Sequence, residues 1–116
     1  MFQAKTPPRL QVFKRAKLSG DVIIHNEECL FHAALGNLSA GGLYMTSCPD
    51  LRLGESVRVV IKAKGLTSPV QAIGRVVRVE HGCGLAVEFI SISSESRAVI
   101  QNCVQENRLR RALNAG

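Results

Sequence analysis

The feature that most restricts the fold of this chain is a succession of short apolar runs, each ended by turn residues. In one such run Val57, Val59 and Ile61 occupy every second position, which is the two-residue period of a half-buried strand. Only the last segment of the chain changes to a helical period. These patterns predict a mostly β protein that ends in one helix.

Six strands are predicted from these runs, and we expect them to close into an antiparallel barrel. The predicted strands cover residues 10–18, 29–35, 42–46, 56–61, 70–80 and 84–90. The residues Ser19-Gly20-Asp21 are expected to end the first strand, and Gly36-Asn37 to turn the chain after the second. This all-β architecture has no internal repeat or linker, so a single domain over residues 1–116 is expected.

A C-terminal helix is predicted over residues 94–113, with Ser93 or Ser94 as the N-cap. Its apolar face would consist of Val99, Ile100, Cys103 and Val104, and the same stripe would continue to Leu109 and Leu113. The simplest role for this stripe is packing against the barrel.

The positive charge of the chain favours an anionic partner. The formal net charge is +6, which suits a nucleotide, nucleic acid, phospholipid head group or acidic protein. Of the 15 lysines and arginines, eight lie towards the two ends: Lys5, Arg9, Lys14, Arg15 and Lys17, then Arg108, Arg110 and Arg111. Residues 1–10 are expected to form a flexible basic loop.

Metal, redox and catalytic sites are not indicated. The four cysteines, Cys29, Cys48, Cys83 and Cys103, are far apart, so buried free thiols in a cytoplasmic protein are expected. The histidines have no partners at triad spacing, so we expect no enzyme, metal or cofactor. No apolar run approaches the roughly 18 residues of a membrane span, so membrane insertion is not expected.

The stretch Asn37-Leu38-Ser39-Ala40-Gly41-Gly42 combines short polar side chains with paired glycines. Paired glycines remove Cβ and allow positive φ, so the backbone can approach a ligand or turn sharply. Upstream, Lys5 and Arg9 flank Pro7-Pro8 and supply cations that bind phosphate. We predict that the two stretches are halves of one anion-binding site. Taken alone, the first stretch also suits an ordinary hairpin turn, and Lys5 a solvated tail.

Several motifs resemble those of the PilZ domain family, bacterial receptors for cyclic dimeric guanosine monophosphate (cyclic di-GMP). The family's Asp/Asn-x-Ser-x-x-Gly motif is met by Asn37, Ser39 and Gly42. Further matches are Leu-x-x-Gly-Glu-x-Val at residues 51–57, Gly-Arg-Val-Val-Arg at 74–78 and Gly-x-Gly-Leu-Ala-Val-Glu-Phe at 82–89. The resemblance covers most of the chain and implies a stand-alone, six-stranded PilZ-like barrel with a C-terminal helix.

The family's Arg-x-x-x-Arg motif takes the form Lys5-x-x-x-Arg9 in this chain. In the family, as the resemblance implies, this pair grips the phosphates and guanines of the ligand. Lysine keeps the charge but lacks the planar fork that makes bidentate contacts and stacks on a base. The residues expected to bind cyclic di-GMP are Lys5, Arg9, Asn37, Ser39, Gly41 and Gly42, with Asn37 on a purine edge, Ser39 donating to phosphate or base and the glycines offering backbone N–H groups.

The expected function is that of a cyclic di-GMP receptor that changes conformation on binding and signals to a downstream protein partner. One alternative is a PilZ-like adaptor that no longer binds the nucleotide, for which Lys5 is the main support. The other is a single-stranded nucleic-acid binder, which the aromatic content of 4% disfavours, because such proteins stack bases on exposed aromatic rings.

Overall fold

The computed structural model describes residues 13–46, 50–80, 82 and 84–115. Within these ranges the chain forms seven strands and one helix. They are β1 (Arg15–Lys17), β2 (Gly20–His25), β3 (Leu30–Ser39), β4 (Gly42–Thr46), β5 (Ser56–Ala63), β6 (Val70–Glu80), β7 (Gly84–Ser91) and α1 (Ser94–Ala115). The predicted basic loop at residues 1–10 lies outside the described residues.

The prediction of a closed six-stranded antiparallel barrel with a C-terminal helix is confirmed. Strands pair in the order β3-β2-β5-β6-β7-β4, and β4 pairs with β3 to close the ring. The short strand β1 lies end to end with β2 along β3, because β2 pairs with the first half of β3 and β1 with its last three residues. The barrel interior holds the apolar core, which includes Val22, Ile24, Ile61 and Leu85.

The prediction for the first barrel strand was wrong. Residues 10–18 were expected to form it, but the barrel strand is β2, and the described part of 10–18 supplies only β1. Gly20, interpreted as a turn residue, begins β2, where a Cβ atom would collide with the carbonyl oxygen of Lys62 on β5. The alternation of buried Val22 and Ile24 was obscured because Ile23, on the outer side, is also apolar.

The predicted turn at Gly36-Asn37 was also wrong, because β3 continues through it to Ser39. The register of β3 against β4 shifts between Leu35 and Asn37, which marks a β-bulge at Gly36. The bulge adds one residue to β3, so the spacing between buried residues there is three in place of two. Leu35 is buried before the bulge and Leu38 after it. As a result Asn37 turns to the outer face instead of the core.

Helix α1 begins as predicted and packs through the predicted face. The hydroxyl of Ser93 accepts a hydrogen bond from the N–H of Ser96 at 3.0 Å, which makes Ser93 the N-cap. Ile100, Cys103 and Val104 are buried. Leu109 was expected on the same stripe, but it is 56% exposed, because five residues at 100° each turn it about 140° away from Val104. Leu113 is also exposed.

The loops at the barrel end opposite α1 are tied together by Asn26 and Glu55. The side-chain amide of Asn26 donates to Glu55 Oε2 at 3.0 Å, and the backbone N–H of Arg52 donates to Glu55 Oε1 at 3.0 Å. Asn26 Oδ1 in turn accepts from the N–H groups of Glu28 and Cys29. The bond from Arg52, followed by that from Asn26, lowers the pKa of Glu55 below its ordinary value of 4.5.

We expect Glu55→Gln to destabilise the fold at neutral pH and much less in acid. A carboxyl whose pKa is lowered by folding contributes stability above its unfolded pKa, and that contribution is lost as the pH falls through the folded pKa. Urea unfolding of the parent and the variant at pH of about 7 and about 3.5 measures the difference. Glu28→Gln is the control, because the Glu28 carboxylate makes no hydrogen bond to the described residues. A pH-independent difference for Glu55→Gln would contradict the assignment.

The two described cysteines differ from the expectation that all four thiols are buried. Cys103 is 4% exposed and Cys29 is exposed; both are free. Burial, with a smaller effect from the nearby Glu106 carboxylate, raises the pKa of the Cys103 thiol. Cys48 and Cys83 lie outside the described residues.

We therefore expect a thiol-alkylating reagent at neutral pH to modify Cys29 in the native protein and to spare Cys103 until the chain unfolds. The thiolate is the reactive form, and both burial and a raised pKa suppress it. Peptide mass spectrometry of native and urea-unfolded samples measures the two sites separately. Equal native labelling of both cysteines would show that α1 opens readily from the barrel.

Candidate functional site

The motif residues Asn37 to Gly42 lie at the tight connection between β3 and β4. Ser39 pairs with Gly42 across a two-residue turn made of Ala40 and Gly41. The hydroxyl of Ser39 donates to the carbonyl oxygen of Gly42 at 3.3 Å and accepts from the N–H of Gly41 at 3.1 Å. Because a hydroxyl has one hydrogen and two lone pairs, Ser39 retains only accepting capacity for a ligand in this conformation.

Close packing explains the glycine at position 42, and left-handed backbone explains neither motif glycine. Positive φ occurs among the described glycines at Gly54, Gly65 and Gly82, so neither motif glycine uses the conformation expected from the sequence. A Cβ atom on Gly42 would collide with the carbonyl oxygen of Val87 on β7. The glycine at position 42 thus lets β4 pair closely with β7, which also holds the hairpin in place.

Asn37 lies on the outer face of the barrel between a cation and an aromatic ring. It pairs with Lys17 of β1 on one side and with Tyr44 of β4 on the other, and directly opposite residues project from the same face of a sheet. Lys17 is exposed. Asn37 Oδ1 is buried and accepts no hydrogen bond from the described part of the chain, which costs free energy unless another donor pairs with it.

A second cation lies beside Ser39. Arg15 pairs with Ser39 in the β1–β3 ladder and is exposed. Arg15 and Lys17 are two residues apart on one strand, so their Cα atoms are about 7 Å apart and their side chains leave from the same face. Sequence analysis left these two residues out of the predicted site, because the pairing of β1 with β3 is not visible in the sequence.

A third cation, Arg78, reaches the same face from β6. Its guanidinium carbon lies 5.6 Å from the centroid of the Tyr44 ring, and its Nε lies 3.3 Å from Glu80 Oε2. The hydroxyl of Tyr44 donates to Glu80 Oε1 at 2.7 Å. Sequence analysis missed Arg78 because a register shift between Val76 and Arg78 interrupts the strand alternation. The consecutive valines before it are the sequence signal of that shift.

The structure thus brings together four of the six predicted site residues, Asn37, Ser39, Gly41 and Gly42, and adds three cations around them. The other two, Lys5 and Arg9, lie outside the described residues. Arg9 is six residues before Arg15, so an extended chain places it within about 20 Å of that residue. Arg15 itself is tied to the helix, because Arg108 Nη1 donates to the Arg15 carbonyl oxygen at 3.1 Å.

Two further types of site were searched for in the described ranges. No group of three or more His, Cys, Asp or Glu side chains there is arranged to hold a metal ion. None of the helical structure in those ranges combines the length and the apolarity that crossing a membrane requires.

Comparison with solved structures finds the same fold in bacterial proteins. The inhibitor of motility MotI/DgrA from Bacillus subtilis has a TM-score of 0.74 at 20% identity, over 90% of this chain. The PilZ domain of YcgR from Escherichia coli, solved with c-di-GMP, has a TM-score of 0.70 at 11% identity, also over 90% of this chain. The PilZ domain of CeSA from a cellulose-synthesizing bacterium has a TM-score of 0.58 at 17% identity, over 80% of this chain.

The chain spans 56% of the MotI/DgrA chain and 96% of each of the two PilZ domain structures. Comparison with curated proteins finds no match. The family model described as the PilZ domain matches residues 10–106, which include all seven strands and the buried face of α1. The chain therefore belongs to the PilZ domain family.

Proposed function

We propose that this chain is a receptor for cyclic di-GMP and that the ligand binds on the outer face of β1, β3 and β4. The observation that carries the proposal is the Asn37 side chain, whose buried Oδ1 accepts no hydrogen bond from the described residues. The ring and exocyclic N–H groups of guanine are donors that match an amide oxygen, and the Asn37 side chain must rotate to present its buried Oδ1 to them. An exposed cation, Lys17, is the cross-strand neighbour of this acceptor.

The charges around Asn37 match the phosphates of the ligand. Cyclic di-GMP is a dianion that carries two purines, so its receptor needs cations beside a base-reading group. Lys17 and Arg15 project from the face that presents Asn37 and Ser39. Ser39 is only 4% exposed, and the lone pair that it retains is the one acceptor that it would offer to a second guanine N–H group.

The N-terminal cations complete the proposed site. Arg9 offers a planar fork that binds phosphate or the edge of a guanine, whereas Lys5 offers a single point charge. The structural neighbour YcgR was solved with c-di-GMP, and membership of the PilZ family supports the same ligand for this chain. The proposed ligand contacts are Lys5, Arg9, Asn37 and Ser39. Gly41 and Gly42 shape the hairpin, because the N–H of Gly41 is bonded to Ser39 and a Cβ atom on Gly42 would collide with Val87.

The proposed role is signalling and not catalysis. Binding would order residues 1–10 over the outer face of β1, and α1 would sense this change because Arg108 is bonded to Arg15. The altered surface would then be read by a downstream protein. The coupling is limited by the difference in ligand affinity between the two states.

Isothermal titration calorimetry with cyclic di-GMP at near-physiological salt tests the proposal, with GTP as the specificity control. We expect saturable binding of cyclic di-GMP and none of GTP. Asn37→Ala should weaken the affinity about two- to tenfold, since one neutral hydrogen bond is lost. Asn102→Ala, an exposed asparagine on α1, is the matched control and should bind like the parent.

Absence of binding, repeated at low salt and with a second method, would refute the receptor proposal. It would favour a PilZ-like adaptor, whose partner is captured equally well with and without cyclic di-GMP. Salt-sensitive binding of random single-stranded oligonucleotides in place of cyclic di-GMP would instead favour a nucleic-acid binder.

Lys17→Ala should weaken cyclic di-GMP binding about three- to tenfold and make the affinity less dependent on salt. The reason is that an exposed cation beside a phosphate contributes a screened electrostatic attraction. The matched control is Lys62→Ala, which removes an exposed lysine from β5. Titrations at about 50 mM and about 300 mM NaCl measure both effects. Equal losses of affinity for the two lysine variants would show that Lys17 acts only through the net charge of the chain.

A further inference from the structure

A cleft of about 250 Å³ lies where the second half of α1 meets two connections of the barrel. These connections are residues 18–19, between β1 and β2, and residues 64–65, between β5 and β6. None of the hairpin residues 37–42 lines this space, which we call the helix-end cleft. Its volume is below the roughly 300–1,000 Å³ of sites for drug-sized molecules, so it suits a small ligand.

The helical wall of the cleft is a stripe that changes from apolar to polar. After Cys103, its residues follow at three, four, seven and eight positions, which places them on one face of the helix, and they are Glu106, Asn107, Arg110 and Arg111. Cys103 is buried, whereas Arg110 and Arg111 are exposed. Packing against the barrel accounts for the apolar part of the stripe only. The polar part faces the cleft.

Cations outnumber carboxylates in the cleft. Four cations line it, and they are Lys17, Lys64, Arg110 and Arg111, whereas Glu106 is the one carboxylate among its described lining residues. None of these five side chains forms an ion pair within the described ranges. Positive charges that converge on one concave space attract anions more strongly than the same charges spread over a convex surface. The cleft is therefore suited to an anion.

Direct contacts hold the walls of the cleft together. The N–H of Lys64 donates to the carbonyl oxygen of Ser19 at 3.1 Å, which joins the two barrel connections. The thiol of Cys103 donates to the carbonyl oxygen of Lys64 at 3.9 Å. Gly65 has a φ of +97°, and a Cβ atom on it would lie 3.1 Å from the same sulfur. The helix thus sits directly on the β5–β6 connection, so the cleft is formed without a ligand and binding orders little of the chain.

The cleft also contains an acceptor without a donor. Asn107 Oδ1 is buried and accepts no hydrogen bond from the described residues, which costs free energy unless a donor reaches it. The terminal torsion of asparagine is soft, so the side chain can rotate to meet a donor in the cleft. The Glu106 carboxylate adds two more acceptor oxygens to the same wall. A fitting ligand therefore carries hydroxyl groups beside its negative charge.

We propose that the helix-end cleft is a second anion-binding site, which binds the phosphate monoester of a small hydroxylated molecule. Lys64, Arg110 and Arg111 bind the phosphate, the arginines through their planar forks. Asn107 and Glu106 accept hydrogen bonds from the hydroxyl groups of the ligand. This site does not depend on the proposed binding of cyclic di-GMP, which is placed at the hairpin.

An NMR titration of the whole chain with glycerol 3-phosphate tests the site. We expect saturable shifts of the backbone amides of Lys64 and Gly65, with a Kd of about 1 mM or tighter, and little shift at Gly42. Arg110→Ala should weaken the affinity about tenfold, because a charge-assisted hydrogen bond is lost. The matched control is Arg58→Ala, which removes an exposed arginine from β5 and should bind like the parent.

Two results would overturn the inference. Equal losses of affinity for Arg110→Ala and Arg58→Ala would show that only net charge attracts the ligand. Shifts confined to Gly42 and its neighbours would place the phosphate at the hairpin, in the site proposed for cyclic di-GMP. Lys17 is left out of the test because the proposed cyclic di-GMP site also uses it.

Sulfate, a dianion without a hydroxyl group, tests the role of Asn107. The parent should bind glycerol 3-phosphate about three- to tenfold more tightly than sulfate, since the hydroxyl adds a neutral hydrogen bond. Asn107→Ala should bind the two anions within about twofold of each other and should leave the affinity for sulfate unchanged. Equal affinities of the parent for the two anions would overturn the assignment of a hydroxylated ligand.

A soluble metabolite and a lipid head group can present the same hydroxylated phosphate monoester. Sedimentation with vesicles that contain phosphatidylinositol 4-phosphate, compared with pure phosphatidylcholine vesicles, separates the two sources. Sedimentation that Arg110→Ala abolishes would assign the ligand to a lipid head group. Binding of glycerol 3-phosphate without sedimentation would assign it to a free small molecule.

Discussion

The β-bulge at Gly36 is the constraint on which the outer face of β3 depends. β3 pairs with β2 along its first half and with β4 along its second, and its register against β4 shifts between Leu35 and Asn37. The extra residue also exchanges the two faces of the strand. Without it Asn37 and Ser39 would point into the core and Leu38 would point outwards. One residue therefore turns the polar motif away from the core.

Most polar groups of the hairpin motif are already paired within the fold. Its residues therefore differ in what they can offer to a ligand. Ser39 and Gly42 are engaged with the turn and with β7. Because these groups are already paired, substituting Ser39 or Gly42 would disturb the hairpin itself, and any effect on ligand binding would be indirect. Asn37 differs, since its buried oxygen has no partner among the described residues. In the proposed site, selectivity for a ligand would therefore fall mainly on Asn37 and on the surrounding cations, whose contribution depends on salt.

Much of the fold was predictable because alternation and turn residues are local properties of the sequence. Strands β4 to β7 and the start of α1 lie where their patterns placed them. Two errors share a physical cause. Gly20 and Gly36 were interpreted as turns, but each accommodates a tertiary feature, a neighbouring strand in one case and a bulge in the other. The motif residues were found by their spacing. Arg15, Lys17 and Arg78 were missed because strand register brings them to the site.

The hydrogen bond between Arg108 and Arg15 joins residues 93 positions apart, whereas the Ser39 turn joins residues three positions apart. The two halves of the proposed site thus differ in how they are assembled. The hairpin half is held by contacts within a few residues, whereas Arg15 and Lys17 are held by the β1–β3 ladder and by the docked helix. Partial unfolding of α1 would remove one of the two supports of β1 while the barrel and its hairpin persist. Heat or denaturant would then loosen the proposed phosphate-binding cations of β1 before the proposed base-reading hairpin.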